Sequence, residues 1–227
     1  MSLRIVSWNI QKGIGVDLRR DLRRTASVLS ALSADVVGLQ EVLRTAMLDQ
    51  AAEPARALDM ELAWAAARPI PGGSYGNALL VRGRVIETRG HDLSVARREP
   101  RACLEALVET QGVALRVFVC HLGLSARERA AQIARVVDIV RAPSPRDAGA
   151  TRVVLGDFNE WRGRAVESAL AREFRDAPRP LPTHPSPWPV FALDRIAWDP
   201  ALRGTVRVAP VGRASDHRAL EATLDVS

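Results

Sequence analysis

Lysine is almost missing from this chain. Of 227 residues, 32 are Lys or Arg, and Lys12 alone is lysine. Arginine carries a planar fork of donors that matches phosphate oxygens. An arginine-rich composition also follows from a GC-rich genome. The formal charge of +6 therefore permits a polyanion such as nucleic acid without requiring one. Cysteine is also scarce. Cys103 and Cys120 lie in apolar, strand-like runs, which excludes a disulfide framework and predicts buried, reduced thiols. No cluster of Cys and His has the spacing of a zinc site. No apolar run approaches the roughly 20 residues of a membrane helix. The opening "MSLRIVSWNI" lacks the basic segment and long apolar core of a signal peptide, so the expected location is the cytoplasm. A GxxxxGK[ST] loop and a GxSxG elbow are both absent, which removes support for a nucleotide triphosphatase or a serine hydrolase. No internal repeat is visible.

What remains is enough to build a core, with 47% hydrophobic residues. Strands are expected over 3–8, 35–39, 78–82, 84–88, 102–109, 113–120, 151–155, 190–198, 205–209 and 219–225. Helices are expected over 19–32, 48–58, 126–140 and 165–172, with Pro54 weakening the second. Gln111-Gly112 marks a hairpin turn, and "PIPGGSYGN" reads as a loop. "APRPLPTHPSPWPV" (177–190) cannot be regular structure. Too little chain follows it for a second domain, so it reads as a long loop on one domain covering 1–227. Many strands with interspersed helices predict a layered α/β sandwich.

Several apolar strands end abruptly in polar groups. "RIVSWN" ends at Asn9, "DVVGLQE" at Glu41, "LRVFVCH" at His121, and "RVVLGDFN" at Asp157 and Asn159. "VFALDRI" carries Asp194 inside an apolar run, and "SDH" sets Asp216 and His217 just before the last strand. Singly, each is explained by a turn. As a set they resemble catalytic groups held on strand ends by a rigid scaffold. A carboxylate inside a buried strand needs a partner, and His217 is the candidate for Asp194. Oxygen-rich groups of this kind suit a hard cation such as Mg²⁺. Carboxylates, amides and imidazoles also supply the base and donors that attack on a phosphodiester needs.

The motifs "SWNI", "LQEV", "YGNALL", "HLGL", "GDFNEW", "LDRI" and "SDHRAL", in this order across nearly the whole chain, resemble those of the endonuclease/exonuclease/phosphatase superfamily. The resemblance implies a four-layered α/β sandwich of two mostly antiparallel sheets flanked by helices, and hydrolysis of phosphate esters dependent on Mg²⁺ or Mn²⁺. It implies Glu41 as main metal ligand, with Asn9 and Asp216 completing the metal region directly or through water. Asp157 would orient or activate the attacking water. Asn159 would donate to a phosphate oxygen, Asp194 would hold the ring of His217, and His121 would be a second phosphate ligand or acid. Asn77, Arg162 and Arg213 are expected to contact substrate, Asn77 with a role in shaping the floor of the site as the alternative. His184 stands after Thr183 where an aromatic residue is usual, and is expected to be a solvated loop histidine. Trp161 is expected beside the site, and Trp188 is expected to pin the Pro-rich loop.

The expected activity is phosphodiester hydrolysis with nucleic acid favoured as substrate. A phosphatase or phosphodiesterase for a lipid headgroup or sugar phosphate is the alternative, and a non-catalytic nucleic-acid-binding domain is the reading from a different class. A monomer with no protein partner is expected.

Overall fold

The computed structural model describes residues 1–143, 146, 149–161, 164–176 and 180–226. It is built from two six-stranded sheets. The first comprises β1 (Ser2–Asn9), β2 (Val36–Thr45), β3 (Glu61–Ile70), β4 (Gly73–Val81), β11 (Arg203–Ala209) and β12 (Ala219–Asp225), in the order β11-β12-β1-β2-β4-β3. The second comprises β5 (Arg84–Asp92), β6 (Ala102–Thr110), β7 (Val113–His121), β8 (Thr151–Asp157), β9 (Arg175–Asp176) and β10 (Asp194–Trp198), in the order β5-β6-β7-β8-β10-β9.

Each sheet is antiparallel except at its centre. There β1 and β2 run parallel, joined through helix α1 (Leu22–Leu32), and β7 and β8 run parallel, joined through α3 (Ala126–Arg141). A parallel pair needs such a crossover. Helices α2 (Ala52–Ala57) and α4 (Ala165–Leu170) complete the outer layers. Three buried clusters correspond to the three interfaces of a four-layered sandwich. One, with Ile5, Leu79, Val117 and Leu155, lies between the sheets. A second joins Trp8 and Leu39 to Leu29 of α1, and a third joins Phe118 and Val154 to Ile133 and Val136 of α3. Gly38 of β2 lets the sheets approach, because a Cβ there would fall 2.1 Å from Cδ1 of Leu155.

Local chemistry moves several boundaries from their expected places. Asp21 caps α1 through the Arg23 amide, so the helix starts at Leu22 and not at residue 19. Pro54 lies in the first turn of α2, where its missing N–H costs little, and the helix begins only at Ala52. β3 was not expected, since its Ala-rich "ELAWAAARPI" carries few residues favoured in strands. It lies at the sheet edge, where Pro69 is tolerated. "PIPGGSYGN" is accordingly the end of β3, a hairpin turn and the start of β4, not a loop. The segment from Val190 enters the sheet only at Asp194. The Gln111-Gly112 turn joins β6 to β7 with both residues at positive φ. Among the described residues no helix is long and apolar enough to cross a membrane.

Candidate functional site

The two parallel pairs place the polar strand ends side by side. In the first sheet Asn9 registers with Gln40. In the second, Asp157 registers with His121 on one side and Asp194 on the other. The open ends of both sheets meet, so side chains from distant segments converge on one seam.

Asp157 is the centre of that seam. Its Oδ2 accepts from Asn9 Nδ2 at 3.0 Å and lies 3.6 Å from His121 Nε2 and 3.7 Å from His217 Nε2. Its Oδ1 accepts from the Asn159 amide at 2.9 Å. Gly156 before it has φ 146°, and a Cβ there would stand 1.9 Å from the Cys120 carbonyl, so the strand can turn in only with glycine. Asn159, at φ 52°, gives one amide hydrogen to the Leu122 carbonyl at 2.9 Å. The acid that follows faces away from this convergence. The Glu160 carboxylate accepts from the Val166 and Glu167 amides, both at 3.0 Å, at the start of α4.

His217 is held from both sides. Asp194 Oδ2 lies 2.9 Å from its Nδ1 and also accepts from Thr183 Oγ1 at 2.5 Å. Trp8 Nε1 donates to the His217 carbonyl at 3.0 Å, and Ser215 Oγ donates to the Asn9 carbonyl at 2.7 Å. Burial alone would lower the imidazole pKa, but the charge and hydrogen bond of Asp194, then the charges of Asp157 and Asp216, raise it to about 10. Burial raises Asp157 to about 6, against the pull of His217 and with the push of Asp194. His121 moves the other way, well below its ordinary value, through burial and the positive charges of Arg101, His217 and Lys12. Its Nδ1 faces Tyr75 Oη at 3.5 Å and Arg101 Nη1 at 3.4 Å.

Glu41 is presented by a bulge. Leu39 pairs with Ala78, yet the next registered pair is Val42 with Gly76, and Glu41 takes φ 57°. Its Oε2 is paired with Lys12 Nζ at 2.8 Å, and its Oε1 lies 3.4 Å from Asn9 Nδ2. Gln11 and Lys12 also have positive φ. Four such residues around one cleft are a concentration of strain of the kind found at functional sites. Lys12 was not among the expected site residues, although its standing as the sole lysine was a visible signal. A carboxylate that already holds an ammonium is a seat for a cation, and its oxygen chemistry fits a hard divalent ion. Asn9 Oδ1, however, accepts from the Gln11 amide at 3.0 Å. Asp216 lies toward His184 and His217. Among the described residues, the groups of three ligand atoms within 4.8 Å of one another are His184–Asp216–His217 and Asp157–Asp194–His217, and neither includes Glu41.

Two of the three expected substrate contacts are engaged elsewhere. Asn77 donates to the Ala102 and Val119 carbonyls at 2.8 and 3.2 Å. Both acceptors lie in the other sheet, so this amide ties the sheets together instead of facing a ligand. Arg213 is exposed, its carbonyl accepts from the Val16 amide, and its charge acts on Asp17. Arg162 lies outside the described residues. Trp188 does not pin the Pro-rich segment: it is 82% exposed, and Arg218 holds the segment through the Ser186 and Pro187 carbonyls. Trp161 does stand beside the site, its ring edge-on to Phe191 at 5.6 Å. Together with Leu124, Leu193 and Asn159 these two rings border a cavity of about 380 Å³.

Two sheets with catalytic-type groups at their shared open end define a class. The chain belongs to the endonuclease/exonuclease/phosphatase family, whose sequence profile matches residues 6–217. It is 30% identical to the uncharacterized protein YbhP of Escherichia coli K12 over 98% of this chain and 96% of that one. Its fold is similar to that of the endonuclease/exonuclease/phosphatase from Beutenbergia cavernae, with a TM-score of 0.80 and 24% identity, covering 100% of this chain and 72% of that one. It is also similar to humanized D. rerio TDP2, with a TM-score of 0.76 and 20% identity over 99% of each chain. The mannosyl-6-phosphatase Bt3783 of Bacteroides thetaiotaomicron has a TM-score of 0.76 at 14% identity, over 99% of this chain and 100% of its own.

Proposed function

We propose that the chain, as one catalytic domain, hydrolyses phosphodiesters with a divalent metal ion, and that its substrate carries an apolar or aromatic group beside the phosphate, as a nucleotide does. The observation that carries this is the convergence on Asp157 of Asn9, His121 and His217 within 3.0 to 3.7 Å. A carboxyl raised to about 6 is ionised near neutral pH and basic enough to take a proton from an attacking water. His217, with its pKa raised to about 10, stays protonated and donates from Nε2 to a phosphate oxygen. Asp194 and Thr183 hold that ring in place. Asn159 offers its second amide hydrogen to the same group. His121, kept neutral, orients the phosphate without adding charge.

A Mg²⁺ or Mn²⁺ ion held by Glu41, with Asn9 and with Asp216 through water, would polarise the phosphoryl oxygen and neutralise its charge. Lys12 would then have to leave Glu41. The cavity bordered by Trp161 and Phe191 offers rings on which a nucleobase attached to the departing sugar would stack, which supports a nucleic-acid or nucleotide diester over a sugar phosphate or lipid headgroup. The adjacent thiols of Cys103 and Cys120, 3.4 Å apart and unbonded, suit a reducing compartment such as the cytoplasm.

The test compares hydrolysis of bis(p-nitrophenyl) phosphate with p-nitrophenyl phosphate in Mg²⁺, Mn²⁺ and chelator, with Asp157→Asn as the control for contamination. Metal-dependent diester cleavage that disappears in the variant supports the reading. A preference for the monoester moves the assignment to a phosphatase, and absence of turnover on any phosphate ester leaves the fold as a binding domain.

A further inference from the structure

One histidine at this seam was given no catalytic role above, although it also borders the cavity of Trp161 and Phe191. His184 is half-buried and not a solvated loop residue. Its ring centroid lies 4.8 Å from that of His217, and it is stacked with Phe191 at 6.4 Å. Its Nε2 is 3.8 Å from Asp216 Oδ2, and its Nδ1 is buried without a hydrogen-bond partner. The backbone fixes this arrangement. The amides of Thr183 and His184 both donate to the Phe191 carbonyl, and the His184 carbonyl accepts from Val190 and Phe191. The same loop is stitched to the segment carrying the other two residues: Ser186 donates to the Asp216 carbonyl at 2.6 Å, and Arg218 donates to the Thr183 carbonyl at 2.8 Å.

One ligand atom each from His184, Asp216 and His217 falls within 4.8 Å of the others. A tetrahedral ion bound at roughly 2.0–2.1 Å needs its ligand atoms about 3.3 Å apart, a closure that side-chain rotation supplies. Two imidazoles and one carboxylate suit Zn²⁺, whereas Mg²⁺ prefers oxygen ligands in a strict octahedron. His217 also carries the support that zinc-binding histidines have, a carboxylate on the far ring nitrogen. Asp194 at 2.9 Å from Nδ1 fixes the ring, and Nε2 ligates once the arriving ion has displaced its proton to solvent. Asp157 near that Nε2 adds negative charge around the seat. No run of Cys and His marks this cluster in the sequence, because the fold brings together two segments far apart in the chain.

We propose that His184, Asp216 and His217 form a three-ligand site for Zn²⁺ or a similar nitrogen-preferring ion, beside the hard-ion site at Glu41 and sharing Asp216 with it, and that its occupation stops hydrolysis. The inhibitory half rests on the phosphodiesterase reading, since the bound ion takes the nitrogen with which His217 would donate to phosphate. The binding half does not depend on that reading.

The experiment uses the full chain freed of metal. Zn²⁺ is titrated against a chromophoric chelator, and Co²⁺ is added as a spectroscopic stand-in. The wild type is expected to take up one tightly held Zn²⁺ and to give the intense visible absorption of four-coordinate Co²⁺. His184→Phe keeps a ring against Phe191 and removes one ligand. Its Zn²⁺ affinity should fall by at least about 100-fold and its Co²⁺ colour should be lost. His184→Gln is a second variant in case the first fails to fold. Zn²⁺ added to the Mg²⁺-loaded enzyme should abolish hydrolysis in the wild type, and each variant should resist relative to its own Mg²⁺ rate. Equal Zn²⁺ affinity in wild type and variants, or no uptake by the wild type, overturns the site. Uptake lost in the variants without inhibition in the wild type overturns the inhibitory half. Uptake by a protein that hydrolyses no phosphate ester with any metal keeps the site and sinks the phosphodiesterase reading, while hydrolysis without zinc uptake does the reverse.

Discussion

Two buried ionic clusters in this molecule are built on opposite principles. On the outer face of the second sheet, Glu105 Oε1 pairs with Arg116 Nε at 2.7 Å and Oε2 with His91 Nε2 at 2.5 Å. The Arg116 guanidinium also donates to the Val140 and Ala142 carbonyls at the end of α3, where a cation complements the helix terminus. Here acid and base are matched and the polar atoms are spoken for. At the seam between the sheets, three carboxylates, Asp157, Asp194 and Asp216, surround His217, and Asp194 Oδ1 is buried without a partner. The first cluster holds a helix to a sheet. The second is over-supplied with negative charge, which adds to the burial that raises the Asp157 carboxyl, raises the His217 imidazole, and leaves room for cations from outside. Charge balance thus separates a structural cluster from one kept ready for chemistry.

The comparison is broken most severely by Asp157→Asn. Turnover should fall by about 10³-fold or more, while the melting temperature is not lowered. The sign follows from the folded carboxyl having a pKa of about 6 against an ordinary 3.8. Such a group favours its protonated form in the folded state, so its stabilising contribution is present at low pH and is lost as pH rises through 6. At neutral pH its ionisation costs on the order of 2–3 kcal/mol, which the amide does not incur. Unchanged turnover would take Asp157 out of the mechanism. Asp194→Asn should reduce kcat/KM by roughly 10²-fold and move its alkaline limb. In the wild type the profile should rise through about pH 6 and fall through about pH 10. In the variant the upper limb drops toward neutrality, because the main charge that keeps His217 protonated is gone. A limb that stays in place would show that another group sets it.

Glu105→Leu tests the balanced cluster. It leaves the Arg116 charge without its carboxylate and should cost about 3 kcal/mol in denaturant unfolding, with the rate per folded molecule unaltered. A lowered rate at full folding would mean that the two clusters are coupled. The smallest effects belong to the more exposed pair of Glu41 and Lys12. Glu41→Gln should raise the half-saturating Mg²⁺ concentration about tenfold. Lys12→Met should lower it by a few-fold by removing a competing cation. A rise with Lys12→Met would show that the ammonium helps to hold the loaded site.

The strand ends were legible because a polar residue that stops an apolar run is a local signal, as in "RVVLGDFN" and "LRVFVCH". A layered α/β sandwich followed from many strands with interspersed helices, and its two-sheet form from the resemblance carried by the ordered motifs. Features that depend on approach between remote segments were not legible. Nothing near Lys12 in the sequence points to Glu41, and nothing near Thr183 shows that its hydroxyl meets Asp194. Asn77 kept both a substrate and a structural reading because its neighbours in sequence are ordinary, while the partners of its amide are carbonyls of the facing sheet. β3 escaped because alanine has little preference for strands, and its place is set by pairing with β4. Trp188 shows the opposite error, in which a large side chain in a Pro-rich segment suggests burial and the backbone holds it in solvent.

The inter-sheet amide of Asn77 has a consequence for any assay of this protein. Asn9, Glu41, Asp216 and His217 ride on the first sheet or the loop entering it, while His121, Asp157 and Asp194 ride on the second. Neither half owns a complete reaction centre, and a sliding motion of one sheet over the other by a single ångström changes every distance between them. The proposed hydrolysis would therefore act as an alignment gauge: in rising denaturant it should fade with or before the loss of tertiary structure, and no fragment limited to one sheet should retain it.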